Sequence, residues 1–229
     1  MTTISSNLQA VKRRIVAACF RAGRDPAGVA LLAVSKAFPA GAVRAAHAAG
    51  QCRFGESYVQ EALAKQAALT DLGLEWHFIG PLQSNKTKPV AEHFAWVHSV
   101  ERLRIAERLA AQRPVGLPPL NVCVQVNVSG EASKSGCAPD EAPDLCRAVA
   151  HLPNLRLRGL MAIPAPTSES ALARRQFGVL RALRDALNES GLALDTLSMG
   201  MSHDLEDAIM AGATLVRVGT AIFGERHHA

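Results

Sequence analysis

The run LLAVSK, residues 31 to 36, consists of five small and apolar residues followed by a lysine. Such a run predicts a β-strand that is buried on both faces, as strands of parallel sheets are. An ammonium group at the end of a buried strand is unfavourable unless it has a partner or a chemical role. Lys36 is therefore a candidate functional residue, and a sheet around this strand requires further strands in the rest of the chain.

Seven further runs of this kind follow along the chain, separated by segments with helical periodicity. The eight predicted strands are VALLAVSK (29–36), QCRFGE (51–56), LEWHFIG (74–80), AWVHSV (95–100), LNVCVQVNV (120–128), RLRGLMAI (156–163), TLSMG (196–200) and TLVRVGT (214–220). The intervening stretches 101–112 and 168–190 are long enough for crossover helices between parallel strands.

Eight βα units in 229 residues predict a single (β/α)8 TIM barrel. An amphipathic helix precedes the first strand, with apolar residues at Ile4, Leu8, Val11, Ile15 and Ala18, and Gly23 and Pro26 end it. An open doubly wound sheet is the alternative, but its first turn is expected to carry GxGxxG, which is absent here. No linker or repeat divides the chain, so we predict one domain over residues 1–229.

The composition favours a protein of the cytoplasm. The net charge is +5, but acidic and basic residues are interspersed and only 4% of residues are aromatic, so we expect no nucleic acid partner. The five cysteines form no CxxC pair, so neither a disulfide framework nor a metal site is predicted. The N-terminus lacks the order of a secretory signal, and the longest uncharged stretch, 114–130, contains three prolines, so we expect no membrane span.

Lys36 gains a location from the barrel, because function in such barrels collects at the carboxyl ends of the strands. As the last residue of the first predicted strand, it would lie at the barrel mouth on the same face as Val34. A lysine amine in a partly desolvated pocket is a nucleophile toward carbonyl compounds. The alternative is a lysine whose ammonium group reaches solvent at a strand end.

The ends of the last two strands predict a phosphate site. TLSMGMS (196–202) leads into a helix predicted to start at Ser202, and VRVGTAIFG (216–224) leads into a short terminal helix. Hydroxyls of Ser202 and Thr220 and the backbone N–H of Gly219 suit a phosphate group. Ordinary turn and cap chemistry is the alternative for each segment. Three acids near the first helix start fit a role at its dipole: Asp204, Glu206 and Asp207.

Arg217 alternates with two valines in the last strand and is therefore predicted to point into the barrel. Its guanidinium keeps its proton, so it needs an acid or an acceptor on a ligand. A buried salt bridge to Glu56, at the end of the second strand, is one possibility. Together with Lys36 and the phosphate site, Arg217 suggests a phosphorylated carbonyl ligand held as a Schiff base, a description that fits pyridoxal 5'-phosphate.

The motifs resemble, in order and along nearly the whole chain, the pyridoxal phosphate homeostasis protein family. That family looks like the N-terminal barrel of bacterial alanine racemase standing alone. The matching segments are VSKAFPA, FGESYVQEALAK, WHFIGPLQSNKTK, HSVERLRIAERL, VNVSGEASKSG, RGLMAIPAP, LSMGMSHDLEDAI and VRVGTAIFG.

The resemblance implies a role for each matching position. Lys36 would carry pyridoxal 5'-phosphate covalently, Arg217 would face the pyridine nitrogen, and the phosphate would be held by Ser202, Gly219 and Thr220. Ser57 stands where the family commonly has an asparagine near the cofactor, since FGEN reads FGES here, so any contact of that asparagine is in doubt. HFIGPLQSNK could place His77 or Asn85 near the mouth, but we expect an ordinary strand histidine and a helix-capping serine or asparagine instead.

The resemblance also implies a function: a pyridoxal phosphate carrier or reservoir without evident turnover, with no catalytic residues. Pyridoxal-phosphate-dependent apoenzymes are the candidate recipients, and a monomer is expected. A weakly active amino-acid racemase is the alternative, but it needs a second acid/base, and the only tyrosine is Tyr58. A lysine-dependent barrel aldolase, which would use no pyridoxal phosphate, gives no reason for a match in every motif.

Overall fold

Eight parallel strands close into a barrel in the order of the sequence. The computed structural model describes residues 3–131 and 134–225. The strands are β1 (Ala30–Val34), β2 (Arg53–Glu56), β3 (Glu75–Phe78), β4 (Trp96–Val100), β5 (Leu120–Gln125), β6 (Leu155–Met161), β7 (Thr196–Ser198) and β8 (Leu215–Val218). Each overlaps one predicted run, so the (β/α)8 prediction is confirmed.

Helices cover the outside of the barrel, as parallel connections require. Within the described residues they are α1 (Ile4–Arg21), α2 (Ala40–Ala48), α3 (Val59–Ala68), α4 (Thr87–His93), α5 (Leu103–Gln112), α6 (Ala142–Ala150), α7 (Ser170–Glu189), α8 (Leu205–Met210) and α9 (Thr220–Phe223). One helix, α1, precedes the first strand, as the sequence predicts.

The extra helix α1 is attached to the last two helices of the chain. Its N-cap is Thr3, whose hydroxyl accepts a hydrogen bond from the backbone N–H of Ser6. Its buried residues include four of the predicted apolar positions: Leu8, Val11, Ile15 and Ala18. Arg14 forms an ion pair with Glu206 of α8 at 2.7 Å, and the Asn7 amide donates to the carbonyl of Ile222 in α9. The helix therefore packs close to the segments that follow β7 and β8.

Most of the apolar core lies between the strands and the helices, and its largest side chains include Phe54, Phe78, Phe94 and Phe177. The barrel interior also contains polar side chains. His98 on β4 bonds to Ser198 on β7, and these strands are not neighbours in the sheet, so the bond crosses the interior. Polar side chains are therefore part of the barrel interior.

All five cysteines are free thiols, and only Cys52 is exposed.

No helix in the described part of the chain combines the length and the apolar character that a bilayer crossing requires.

Candidate functional site

A cavity of about 170 Å³ opens at the carboxyl ends of the strands. Its walls come from the segments that follow β1, β3, β6, β7 and β8, so it lies at the predicted functional end of the barrel. The lining residues are Val34, Lys36, Ile79, Ile163, Met201, Ser202, His203, Arg217, Gly219 and Thr220. Five of the six predicted site residues therefore come together here.

Lys36 lines the cavity from the turn after β1, not from the strand itself. The strand ends at Val34, two residues before the predicted end. The chain turns because Ala37 adopts a left-handed conformation with φ of 64°, and its N–H donates to Glu61 Oε1 at 2.6 Å. The Lys36 side chain is half-buried, which is the environment expected of a reactive amine.

A buried ionic cluster supports this turn from the α3 side. Lys65 Nζ donates to Glu56 Oε1 at 2.7 Å, to Glu61 Oε1 at 2.6 Å and to the carbonyl of Ser35 at 2.7 Å. The Ser35 hydroxyl also donates to Glu56 Oε1. Burial raises the pKa of Glu56, and the nearby Lys65 opposes that shift. The cluster joins α3 to the segment that carries Lys36.

The suggested salt bridge between Glu56 and Arg217 is therefore wrong. Glu56 at the end of β2 pairs with Lys65 of α3, outside the barrel. Arg217 points into the barrel, as predicted, and is 3% exposed. Its guanidinium donates to the carbonyl of Ser198 at 2.6 Å, to the Ser198 hydroxyl at 2.8 Å and to the carbonyl of Ala162 at 2.9 Å.

Arg217 keeps its positive charge in this position. Burial lowers the pKa of Arg217 to about 10, and the charge of Asp204 opposes that shift. None of the carboxylates in residues 3–131 and 134–225 forms an ion pair with it. The cavity thus has a cationic floor held by neutral oxygen acceptors.

The segments after β7 and β8 meet at the cavity edge. The Ser202 hydroxyl accepts a hydrogen bond from the backbone N–H of Ala221, at 3.3 Å. Gly219 lies close to β1, since a Cβ at this position would be 3.2 Å from the carbonyl oxygen of Val34. Ser202, Gly219 and Thr220 therefore form one polar edge, as the sequence predicts.

The helix after β7 starts later than predicted. It begins at Leu205 rather than Ser202, because Asp204 Oδ1 accepts the N–H of Met201 at 2.5 Å and closes a turn first. Gly200 makes this turn with φ of 93°, and a Cβ there would lie 2.5 Å from the Cβ of Ala208.

Two of the three acids near this helix pair with arginines of other helices. Glu206 pairs with Arg14, and Asp207 pairs with Arg174 at 2.9 Å. Asp204 Oδ1 closes the turn before the helix, and its Oδ2 lies 3.4 Å from Nε2 of His203, which lines the cavity. Among the described residues that line the cavity none is a carboxylate, so its ionisable groups are basic: Lys36, His203 and Arg217. The positive charge of Arg217 suits an anionic ligand.

Ser57 is not one of the lining residues. It is half-buried behind Gly80, where a Cβ would lie 2.3 Å from the Ser57 carbonyl oxygen. Three apolar lining residues were not predicted: Ile79, Ile163 and Met201. Each follows the end of a strand by one to three residues, so the strand-end rule that found Lys36 would also have found them.

The other two residues considered near the mouth lie elsewhere. His77 is a buried strand histidine, as expected, and it lines a second cavity of about 270 Å³ at the opposite end of the barrel. Asn85 lies in the short 3-10 turn Ser84–Lys86, and the N-cap of α4 makes no side-chain hydrogen bond, so the capping role for Asn85 is wrong.

The lining groups fit a ligand that has an aldehyde, a flat ring and a phosphate. Lys36 offers an amine, Ser202 and Thr220 offer hydroxyls, and Gly219 lets its backbone approach closely. Ile79, Ile163 and Met201 supply apolar walls for a ring. Pyridoxal 5'-phosphate has all three features, so the donor set suits it.

Comparisons with known proteins agree with this geometry. The profile of the family described as "Alanine racemase, N-terminal domain" matches residues 6–227. The pyridoxal phosphate homeostasis protein of Pseudomonas aeruginosa is 67% identical over 228 residues, which cover 100% of this chain and 98% of that protein. The corresponding protein of Escherichia coli K12 is 55% identical over 237 residues, which cover 100% of this chain and 99% of that protein.

A solved structure with a ligand is also similar. PipY of Synechococcus elongatus PCC7942, solved with pyridoxal phosphate bound, is 40% identical to this chain, with a TM-score of 0.80. The match covers 93% of this chain and 100% of PipY.

Proposed function

The chain belongs to the pyridoxal phosphate homeostasis proteins, within the alanine racemase N-terminal domain family, and from this we propose that it binds pyridoxal 5'-phosphate as a carrier or reservoir. The observation that supports this best is the meeting of Lys36, Arg217 and the polar edge of Ser202, Gly219 and Thr220 around one cavity. PipY, a relative at 40% identity, has been solved with pyridoxal phosphate bound.

Lys36 holds the ligand covalently in this proposal. Its unprotonated Nζ adds to the aldehyde carbon, the carbonyl oxygen leaves as water, and a carbon–nitrogen double bond remains. The turn at Ala37 and the cluster beneath it hold this amine at the cavity wall. The linkage is reversible by hydrolysis, which a reservoir requires.

The remaining residues orient the ligand. Ser202 and Thr220 donate hydroxyl hydrogen bonds to the phosphate, and Gly219 allows the backbone to approach it. Arg217 faces the pyridine nitrogen. Because its guanidinium stays protonated at neutral pH, it disfavours protonation of that nitrogen. An unprotonated ring is a weaker electron sink, so this arrangement favours storage over amino-acid chemistry.

The proposal is tested by adding pyridoxal 5'-phosphate to the purified protein. We expect a visible absorption band that borohydride shifts, and we expect no such band in Lys36→Ala. Interconversion of L-alanine and D-alanine should not exceed that of Lys36→Ala. A visible band together with racemisation above that of Lys36→Ala would favour the racemase over the carrier. The lack of any band would point to a lysine-dependent enzyme that uses no pyridoxal phosphate.

Three further features belong to the proposal. We propose that residues 1–229 act as one domain, that the chain works as a monomer in the cytoplasm, and that it passes its ligand to pyridoxal-phosphate-dependent apoenzymes. Light scattering during gel filtration measures the oligomeric state. Transfer is measured by the activity that an apoenzyme recovers when the loaded protein is the only source of cofactor. Repeating this measurement with a dialysis membrane between the two proteins shows whether transfer needs contact.

A further inference from the structure

A chain of hydrogen bonds runs through the barrel interior from Glu75 to Arg217. His77 Nε2 lies 2.9 Å from Glu75 Oε1, and His77 Nδ1 lies 2.9 Å from His98 Nε2. His98 Nδ1 lies 2.7 Å from the Ser198 hydroxyl, which lies 2.8 Å from the Arg217 guanidinium. The two histidines and Ser198 are at most 1% exposed. The chain thus links the amino end of β3 with the mouth cavity.

The two ends of the chain fix the direction of its bonds. The Arg217 guanidinium has only donors, so the Ser198 oxygen accepts from it. An ionised Glu75 carboxylate has only acceptors, so His77 Nε2 carries a proton. The hydrogen bond from His77 is the largest cause that lowers the pKa of Glu75, although burial opposes it.

Neutral histidines leave one arrangement for the middle of the chain. His77 then has no proton on Nδ1 and accepts from His98 Nε2–H. His98 in turn has no proton on Nδ1 and accepts the hydroxyl proton of Ser198. Burial lowers the pKa of His77 and, together with the charge of Arg217, holds the pKa of His98 well below its usual range. Every bond therefore points from Arg217 toward Glu75.

We propose that Glu75, His77, His98 and Ser198 form one positioning unit that holds Arg217 at the floor of the cavity. Glu75 fixes the proton positions of both histidines, and these make the Ser198 hydroxyl present a lone pair to Arg217. This inference rests on the proposed function, in which Arg217 faces the ring of pyridoxal phosphate. The four residues act through Arg217 and do not touch the ligand themselves.

The opposite arrangement would weaken the contacts of Arg217. If His98 carried its proton on Nδ1, it would donate to Ser198, and the Ser198 hydroxyl proton would need another acceptor. The carbonyls of Ser198 and Ala162 already accept from Arg217. A hydroxyl proton directed at either carbonyl would compete with the guanidinium.

Packing and charge at the amino end also favour the single arrangement. Trp96 stacks on the His77 ring with centroids 5.3 Å apart and planes at 6°, so the ring cannot easily turn over. Arg53 pairs with Glu75 at 3.1 Å and keeps the carboxylate ionised. Arg158 lies over the same Trp96 ring, with its guanidinium carbon 4.8 Å from the ring centroid. Arg53, Glu75 and Arg158 thus lie near the histidines at the amino end, and the charge of Arg217 acts on His98 from the other side.

The first test uses the protein without pyridoxal phosphate. Long-range 1H–15N NMR of protein with 15N-labelled histidine reports which ring nitrogen carries the proton, and His77→Gln and His98→Gln assign the signals. We expect both rings to be neutral with the proton on Nε2 at pH 7.5. A proton on Nδ1 of either ring, or a charged ring, would overturn the proposal.

The second test perturbs the far end of the unit. Glu75→Gln offers His77 either an acceptor or a donor, so we expect a second tautomer of His77 and His98 and a shifted absorption band of bound pyridoxal phosphate. Glu92→Gln on α4, whose carboxylate is 3.9 Å from Lys88, is the control and should change neither. If Glu75→Gln left both histidine tautomers unchanged, the proposed positioning unit would be wrong. It would also be wrong if the tautomers changed and the absorption band of bound pyridoxal phosphate did not shift.

The third test removes the link itself. Ser198→Ala takes one acceptor from Arg217, and we expect affinity for pyridoxal phosphate to fall about fivefold. Glu75→Gln should add no further effect in the Ser198→Ala background, because the connection is already broken. Additive effects would mean that Glu75 does not act through Ser198. If wild-type protein took up no pyridoxal phosphate, the proposed function would fail, while the NMR result would still decide the tautomers.

Discussion

At the scale of single residues, the candidate site depends on a lysine in the turn after β1 and an arginine on β8 that reach one cavity. Arg217 is buried with carbonyl and hydroxyl acceptors, so its charge remains directed at the ligand space. Ser57, by contrast, lies behind Gly80 and outside the lining. The two positions should therefore respond very differently to substitution.

We expect Arg217→Glu to change the absorption spectrum of bound pyridoxal phosphate more than Ser57→Ala does. A carboxylate at position 217 would pair with a protonated pyridine nitrogen, whereas loss of the Ser57 hydroxyl leaves the cavity lining intact. Spectra of both variants at saturating ligand provide the measurement, and circular dichroism checks that Arg217→Glu is folded. Equal spectral effects, or a larger effect of Ser57→Ala, would mean that Arg217 does not face the ring.

The sequence was sufficient for those site residues that follow strand ends. Lys36, Ser202 and Thr220 were predicted because parallel strands bring their carboxyl ends together, and Arg217 was predicted from its alternation with two valines in the last strand. The partner of Glu56 was missed, because its position depends on which residue of α3 lies opposite the strand end. That residue is Lys65, nine positions further along the chain, and strand alternation alone does not indicate it.

At the scale of elements, the turn between β1 and α2 determines where Lys36 lies. The predicted strands were mostly too long, because apolar residues such as Ile163 continue beyond the sheet into the cavity wall. An apolar run marks burial, and burial continues where the ladder of hydrogen bonds ends. The end of β1 is set by the left-handed conformation of Ala37, which its residue type does not predict.

We expect Ala37→Gly to leave the free energy of unfolding unchanged or to raise it by up to about 1 kcal/mol. Relief of the left-handed alanine offsets the greater freedom of glycine in the unfolded chain. Ala64→Gly on the exposed side of α3 is the matched control and should lower it by about 1 kcal/mol. Urea unfolding measures both. An equal loss in the two variants would show that residue 37 is not left-handed in solution.

At the scale of the whole molecule, the barrel combines an apolar shell with a polar interior. The closed order of β1 to β8 was predictable from the count and spacing of the apolar runs. The hydrogen-bonded chain across the interior was not predictable from the sequence. It joins residues on β3, β4, β7 and β8, and which of their side chains lie opposite one another depends on the stagger of the strands in the closed barrel. Its buried histidines give the stability of the protein a dependence on pH.

We expect stability to fall as pH drops below about 6.5 because His98 is neutral in the folded protein. Burial lowers its folded pKa from an ordinary value of 6.5, so the unfolded chain binds a proton in this range and the folded chain does not. Between pH 7.5 and 5.5 this removes up to about 1.4 kcal/mol. His77, whose pKa is also lowered by burial, changes stability in the same direction.

Urea unfolding at the two pH values measures this effect, with His98→Gln as the control. Glutamine does not titrate, so the loss of stability between pH 7.5 and 5.5 should be about 1.4 kcal/mol smaller in the variant. Glu56, whose pKa is raised by burial, changes stability in the opposite direction but equally in both proteins. The same loss in wild type and variant would show that His98 becomes protonated in the folded state.

The proposed covalent link at Lys36 is best tested by mass spectrometry. The protein is saturated with pyridoxal 5'-phosphate and reduced with borohydride, its intact mass is compared with that of untreated protein, and peptide mapping locates the modified residue. We expect one added pyridoxyl phosphate group per chain, carried by Lys36 and missing from Lys36→Ala. An unmodified mass at saturation, or a group carried by a different lysine, would contradict the proposed site.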